Sequence, residues 1–320
     1  MLNSKLLSRA AAAVLALSLL SVGSYGQKRK GSHNDTPGRA VLWERVDVGR
    51  QDTYLGPGGK AMQPDLSKIT FIKEETGGHS KKFRVKDGAG NEWVAKVSDE
   101  AQSETASVRL LSALGYVTEI NYLVPSLTIP GKGTFRNVRL EARPDNVKRG
   151  KEWKWGSTPF EKTPQMKGLM LMMAFINNWD MKSANNVIIR DGNQDKYVIS
   201  DLGVSFGKTG NNPLPIFFRL GRSRNKPGDY ARTRLVSGVS RDEVRVVFNG
   251  KNRSRMHDFS HEDARWLADL LLQLSDAQIR DMFRAANYSA GDIHILTRAV
   301  KDRIAQLDRA ASDRRLAGRR

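Results

Sequence analysis

Asp180 and Asn185 bracket a polar run, Asp180-Met181-Lys182-Ser183-Ala184-Asn185, with Lys182 two positions after the Asp. A strand-like run, Val187-Ile188-Ile189, follows, then a turn at Asp191-Gly192-Asn193 and a second run, Tyr197-Val198-Ile199-Ser200. That second run ends in Asp201-Leu202-Gly203. An Asp and an Asn on one loop, with a further Asp at the end of the adjoining hairpin, place three oxygen-bearing side chains around one point. Phosphoryl transfer from a nucleotide needs such a set: one carboxylate to orient the acceptor hydroxyl, and hard oxygen ligands for Mg²⁺.

The elements around this set are those that would hold it still. Residues 165–179 read as one helix in which Leu169, Met170, Leu171, Met172, Met173, Ala174, Phe175 and Ile176 leave almost no polar face, so it is buried on all sides. Its methionines read as core packing. Upstream, order begins near Ile69-Thr70-Phe71-Ile72. Two alternating runs, Lys82-Phe83-Arg84-Val85-Lys86 and Glu92-Trp93-Val94-Ala95-Lys96-Val97, flank a glycine turn at residues 87–91 and predict a hairpin. Gly77-Gly78 precedes it and would let backbone amides approach a phosphate. Ala101, Val108, Leu111 and Leu114 share one face of a helix that stops at Gly115.

Taken in order, these pieces resemble the protein-kinase-like superfamily. The resemblance lies in the catalytic loop from Asp180 to Asn185 and in Asp201-Leu202-Gly203, which resembles the magnesium-binding Asp-Phe-Gly motif. Val94-Ala95-Lys96 resembles the strand that carries the phosphate-binding lysine. It spans residues 69–207 and implies an α+β, two-lobed fold. Residues 66–143 would form a small β-rich N-lobe with one helix, and residues 144–308 a larger, mainly helical C-lobe.

The resemblance also implies ATP and Mg²⁺, with Mn²⁺ as the alternative ion. Lys96 would grip the α- and β-phosphates, Glu104 would pair with Lys96 (Glu100 competes for that role), and Gly77 and Gly78 would lie over the phosphates. Asp180 would orient or deprotonate the acceptor hydroxyl and Lys182 would steady the transferring phosphoryl group. Asn185, or Asn186 one position on, would hold the metal with Asp201. Backbone at residues 141–143 would face the adenine. Asn178-Trp179 stand where protein kinases have His-Arg, Leu202 replaces Phe, the glycine loop is short, and no Ala-Pro-Glu closes the later segment. These departures point to an atypical branch, similar to secretory-pathway, lipid or toxin-type kinases.

Composition bounds the rest. The 320 residues contain no cysteine and five histidines without ligand spacing, which excludes a disulfide framework and argues against zinc. Residues 1–26 have the pattern of an export signal: Lys5 and Arg9, an apolar run at 10–20, then Ser24 and Gly26 before Gln27. The run is too short for a membrane span, and the protein is expected to be secreted or periplasmic. ATP is scarce outside a bacterial cytoplasm, so such a site would use local ATP, another donor, or have lost turnover. Removing those residues takes two positive charges from the net +19 and leaves +17, which favours an anionic acceptor or partner.

Residues 27–65 read as a flexible or loosely docked extension and 309–320 as a basic tail. Basic residues at 217–234 (Arg219, Arg222, Arg224, Lys226, Arg232 and Arg234) occupy the substrate-facing position of the resembled fold, as a recognition segment or a solvated loop. Trp153 and Trp155 among lysines could stack nucleic-acid bases, but an ordinary inter-lobe loop is the preferred reading, and nucleic acid is disfavoured as a partner. Three classes therefore stand: an exported atypical kinase, a catalytically inactive kinase-like module binding an anionic partner, and a nucleic-acid binder. Oligomeric state leaves no signal in the sequence.

Overall fold

The structure is a computed structural model, and it describes residues 37–77, 80–210 and 221–313. Residues 1–36, Gly78, Arg219 and the end of the basic tail lie outside the described residues, and with them the expected export signal. A short strand β1 (Arg39–Val41) precedes β2 (Thr70–Glu75), β3 (Lys81–Lys86) and β4 (Glu92–Val97). Helix α1 (Ala101–Ala113) follows, then β5 (Asn121–Ile129) and β6 (Gly133–Ala142). β1 apart, these strands form one antiparallel sheet in the order β2-β3-β4-β6-β5.

Alternation along the strands divides this sheet into two chemically different faces. On one, Phe83, Val85, Trp93, Ala95, Val138 and Leu140 form a closed apolar cluster. Trp93 is fully buried there, and its indole N–H donates to Asp87 Oδ2 at 2.9 Å. The opposite face carries charge. Cross-strand register aligns Arg84, Val94 and Glu141 in one row and Lys82, Lys96 and Arg139 in the next. Against β5 and β6 packs α1, which is buried nearly all round, Glu104 included.

The chain crosses from the sheet over residues 143–147 into the larger lobe. β7 (Lys148–Arg149) and α2 (Pro164–Phe175) lead to the hairpin β8 (Asn186–Asp191) and β9 (Gln194–Ile199). α3 (Pro227–Ala231), β10 (Val236–Val239) and β11 (Val244–Val246) follow, then α4 (His261–Leu271), α5 (Asp276–Ala285) and α6 (Ala290–Ser312). The architecture is α+β, with a β-rich N-terminal lobe holding one helix and a larger, mainly helical C-terminal lobe, as expected. No helix of the described residues is long and apolar enough to cross a membrane.

α2 starts where its sequence dictates. Pro164 takes the first helical position and the Thr163 hydroxyl accepts the Met166 N–H at 3.2 Å. Its end comes earlier than the apolar run suggests, at Phe175 rather than near Trp179. Asn177 adopts a left-handed conformation (φ 57°) that stops the helix. Arg303 of α6, only 1% exposed, then donates to Ala174 O (3.2 Å) and Phe175 O (2.9 Å), supplying a cation and partners to the helix's last carbonyls. The capping boxes Ser260/Asp263 and Ser275/Gln278 form as their spacing predicts. α6 runs to Ser312 and buries Ala310, so the first residues of the expected basic tail are helical.

Residues 38–65, expected as part of a flexible or loosely docked extension, are packed. β1 pairs in parallel with β9, the Trp43 indole donates to Leu114 O (2.7 Å), and the Glu44 amide donates to Gly115 O (2.9 Å). Val41, Leu42 and Val48 are buried. Gln278 of α5 donates to Val48 O and Gln51 O (2.8 and 2.9 Å), and Arg109 of α1 donates to Tyr54 O (3.1 Å). This strap touches both lobes and α1. Its polar composition conceals the docking, which joins backbone hydrogen bonds to a few buried apolar side chains without helical or strand periodicity.

Candidate active site

Lys96 leaves the charged face of β4 and is 6% exposed. Its ammonium lies 3.0 Å from Glu104 Oε2, 3.9 Å from Asp201 Oδ1 and 4.0 Å from Glu100 Oε2. Of the two candidate helix carboxylates, Glu104 makes the hydrogen bond, while Glu100 is held by Arg224 at 2.8 Å. Burial pushes the Lys96 ammonium toward deprotonation, but the Glu104 and Asp201 charges outweigh it and its pKa stands above the ordinary value. Burial pushes the Glu104 carboxyl up, against the opposing pull of Arg139 and Lys96.

The sequence reading missed what lies behind Glu104. Arg139 Nε stands 3.1 Å from Glu104 Oε2 and Arg139 Nη2 stands 2.7 Å from Glu141. Arg143 and Arg149 complete the chain, Arg143 on Glu141 and Arg149 on Glu119. Charges thus alternate from Asp201 through Lys96, Glu104, Arg139 and Glu141 to Arg143 and Arg149. Burial pushes Glu141 up, but Arg139 and Arg143 outweigh it and hold it well below the usual carboxylate range. Burial and the Glu141 charge push Glu119 up to about 8. Alternation of Arg139 and Glu141 about Leu140 was the available signal, since it puts both on the side of Lys96.

Asp180 follows α2 and is 9% exposed. Lys182 Nζ donates to its Oδ2 at 2.8 Å, and Lys251 Nζ lies 2.7 Å from its Oδ1. Asn185 donates its amide to Asp180 O (2.9 Å) and, at 3.4 Å, to Oδ2. Burial pushes the Asp180 carboxyl up, but the hydrogen bonds from Lys182 and Lys251 prevail and its pKa stands below the ordinary value. Lys251 lies on a loop with no recognisable motif and was not among the expected residues.

Asn185 and Asp201, the residues expected to hold a metal, are close through the backbone: the Ser200 N–H donates to Asn185 O at 2.7 Å, which sets Asp201 beside the loop of residues 180–185. Asn186, the alternative to Asn185, points elsewhere: its amide donates to Trp153 O at 3.0 Å. Asp201 Oδ1 accepts the Gly203 N–H (3.3 Å), and its side chain is 36% exposed. No group of three or more His, Cys, Asp or Glu side chains suited to a metal occurs among the described residues. One accessible carboxylate and one amide oxygen suit a hard cation that takes its remaining ligands from phosphate and water, which is the habit of Mg²⁺.

Gly77 sits in the turn between β2 and β3 with open space around it, and its carbonyl accepts from Lys82 Nζ (2.9 Å). The backbone at residues 141–143 differs from expectation. Ala142 N–H is committed to Ile120 O and Arg143 N–H to Glu92 O, both at 2.9 Å, because β6 lies between two strands. A cleft of about 380 Å³ opens here, with Arg84, Arg143, Val147, Arg149, Ile189 and Val198 in its lining. Trp153 and Trp155 are buried, at 2% and 3% exposure, and cannot stack on bases. Within the basic segment, Arg222 bonds Thr209 O and Asn249 O (3.1 and 3.0 Å), while Arg224, though exposed, pairs with Asp99 and Glu100.

No family model and no curated protein matches the chain. Among solved structures it is similar to the crystal structure of the Helicobacter pylori proinflammatory kinase CtkA. The TM-score is 0.49 at 10% identity, over 80% of this chain and 99% of that one. That likeness is too faint to carry the role of any residue.

Proposed function

We propose that the chain is an exported atypical kinase that transfers the γ-phosphoryl group of Mg-ATP to a hydroxyl of an anionic protein, lipid or glycan. One observation carries the reading: the buried Lys96–Glu104 pair, 3.0 Å apart, faces Asp201 at 3.9 Å. A lysine so placed serves the α- and β-phosphates, and Glu104 fixes its direction. Asp201 and the Asn185 amide oxygen would hold Mg²⁺, which neutralises phosphate charge when bound. The cleft beside residues 143–147 has room for the base, and Gly77 allows backbone to close over the phosphates. Asp180, kept ionised by its two lysines, orients the acceptor hydroxyl and takes its proton.

Radiolabelled γ-phosphate transfer by the purified protein, with Mg²⁺ and then Mn²⁺, tests this directly. Asp180→Ala and Asp201→Ala serve as controls. Label on the protein or on an acidic test protein, absent in both variants, is the expected result. Nucleotide binding without transfer rejects the kinase reading in favour of the second, and absence of nucleotide binding rejects the site.

The second reading is a module without turnover that binds an anionic partner. It is favoured by the engagement of both Asp180 carboxylate oxygens by ammonium groups. It requires salt-sensitive binding to an anionic ligand that survives Asp180→Ala.

A further inference from the structure

Residues 249–252, between β11 and α4, are fastened to the catalytic loop on both sides of Asp180. The Lys251 N–H donates to Trp179 O at 2.9 Å, and the Asn252 side chain donates to Met181 O. Arg222 donates to Asn249 O (3.0 Å) while its guanidinium lies over the Trp179 ring at 5.2 Å. Gly250 permits the approach, since a Cβ there would fall 2.6 Å from Trp179 O and 2.7 Å from Trp179 Cα. The outcome is a lysine held by backbone at a fixed place. Its Nζ is 2.7 Å from Asp180 Oδ1, and 53% of its side chain is exposed.

A salt bridge for stability explains this poorly, because so exposed a lysine contributes little and Asp180 already has Lys182. Two ammonium groups on one carboxylate leave a surplus positive charge, which suits an arriving polyphosphate.

We propose that Lys251 is a second phosphoryl-holding cation of this site, an inference that rests on the kinase reading. When the nucleotide binds, Lys251 exchanges Asp180 Oδ1 for an oxygen of the γ-phosphoryl group, and Lys182 stays on Oδ2. The acceptor oxygen then forms its bond to the γ-phosphorus, and the bond from that phosphorus to the bridging oxygen breaks. The electron pair leaves on the β-phosphate, and the hydroxyl proton passes to the freed Oδ1. Lys251 thereby couples nucleotide arrival to release of the base.

The test compares wild type, Lys251→Met and Lys251→Arg for γ-phosphate transfer from Mg-ATP, with melting temperature recorded for each. In Lys251→Met, kcat/KM for Mg-ATP should fall about 10²-fold, through a raised KM as well as a lowered kcat, since the contact forms on binding and persists in the transition state. Lys251→Arg should recover most of that loss, and all three proteins should melt alike. A Lys251→Met rate within about twofold of wild type overturns the proposal and leaves the kinase reading standing. A loss that Lys251→Arg fails to restore, with lowered melting, overturns it in favour of a structural role. Absence of transfer by wild type overturns the kinase reading, and this inference with it.

Discussion

Arg139 Nε lies 3.1 Å from Glu104 Oε2, so the carboxylate that grips Lys96 is itself gripped from the neighbouring strand. The pairing of α1 with the sheet therefore depends on two cations rather than one. Both are buried, Arg139 at 3% and Lys96 at 6% exposure. Such an arrangement ties α1 to the sheet, while Arg224 on Glu100 (2.8 Å) and Gly203 O, which accepts from Ser103 (2.5 Å), tie it to later segments.

Replacing Arg139 by Met leaves Glu141 and Glu104 each short of a buried partner. Stability should fall by about 3–5 kcal/mol, read from urea unfolding. A loss below about 1 kcal/mol would mean that Lys96 alone satisfies Glu104.

Asp201→Asn removes an accessible carboxylate and should alter intrinsic stability by less than about 0.5 kcal/mol. Its effect should appear in ligand linkage instead. At Mg-ATP about 100-fold above its Kd, wild type should gain about 2.7 kcal/mol in thermal unfolding, and the variant should gain almost none. An equal gain in both proteins would remove Asp201 from the metal site.

Glu119 carries a pH dependence whose sign follows from its pKa of about 8 in the folded protein. The folded chain holds this proton more tightly than the unfolded one, so the contribution is complete below the ordinary glutamate value. It is lost as pH rises toward 8, at no more than about 1.4 kcal/mol per pH unit. Glu119→Gln should flatten the stability profile between pH 5 and 8, measured by chemical denaturation across that window. An unchanged slope would show that Glu119 ionises normally.

Arg303→Met strips the end of α2 of its cation and leaves the carbonyls of Ala174 and Phe175 without those donors. A loss of about 3 kcal/mol is expected. Transfer activity should decline with it, because α2 delivers the chain to Asp180. Calorimetry and the radiolabel assay together check both.

Much of this was legible in the chain itself. Lys96, Glu104, Asp180, Asn185 and Asp201 belong to short motifs whose spacing survives any change in surrounding composition. The two lobes were legible for a related reason: alternation and capping boxes are local signals. Lys251 was not, because its position depends on a backbone docking 71 residues downstream of Asp180 that leaves no pattern. The strap was hidden likewise, since backbone hydrogen bonds are blind to side-chain type. The end of α2 was misjudged because Asn177 interrupts an apolar run whose hydrophobicity alone predicts continuation.

The strap also sets the order in which the protein can be completed. Thr53 bonds to Gln278 O across 225 positions, and Gln278 bonds back to Val48 O across 230. Part of the strap therefore waits for α5, although Trp43, Glu44 and Tyr54 meet partners on or just after α1 long before. Contacts so remote in sequence close late and slowly, so the strap is fastened at its far side only after α5 has been made.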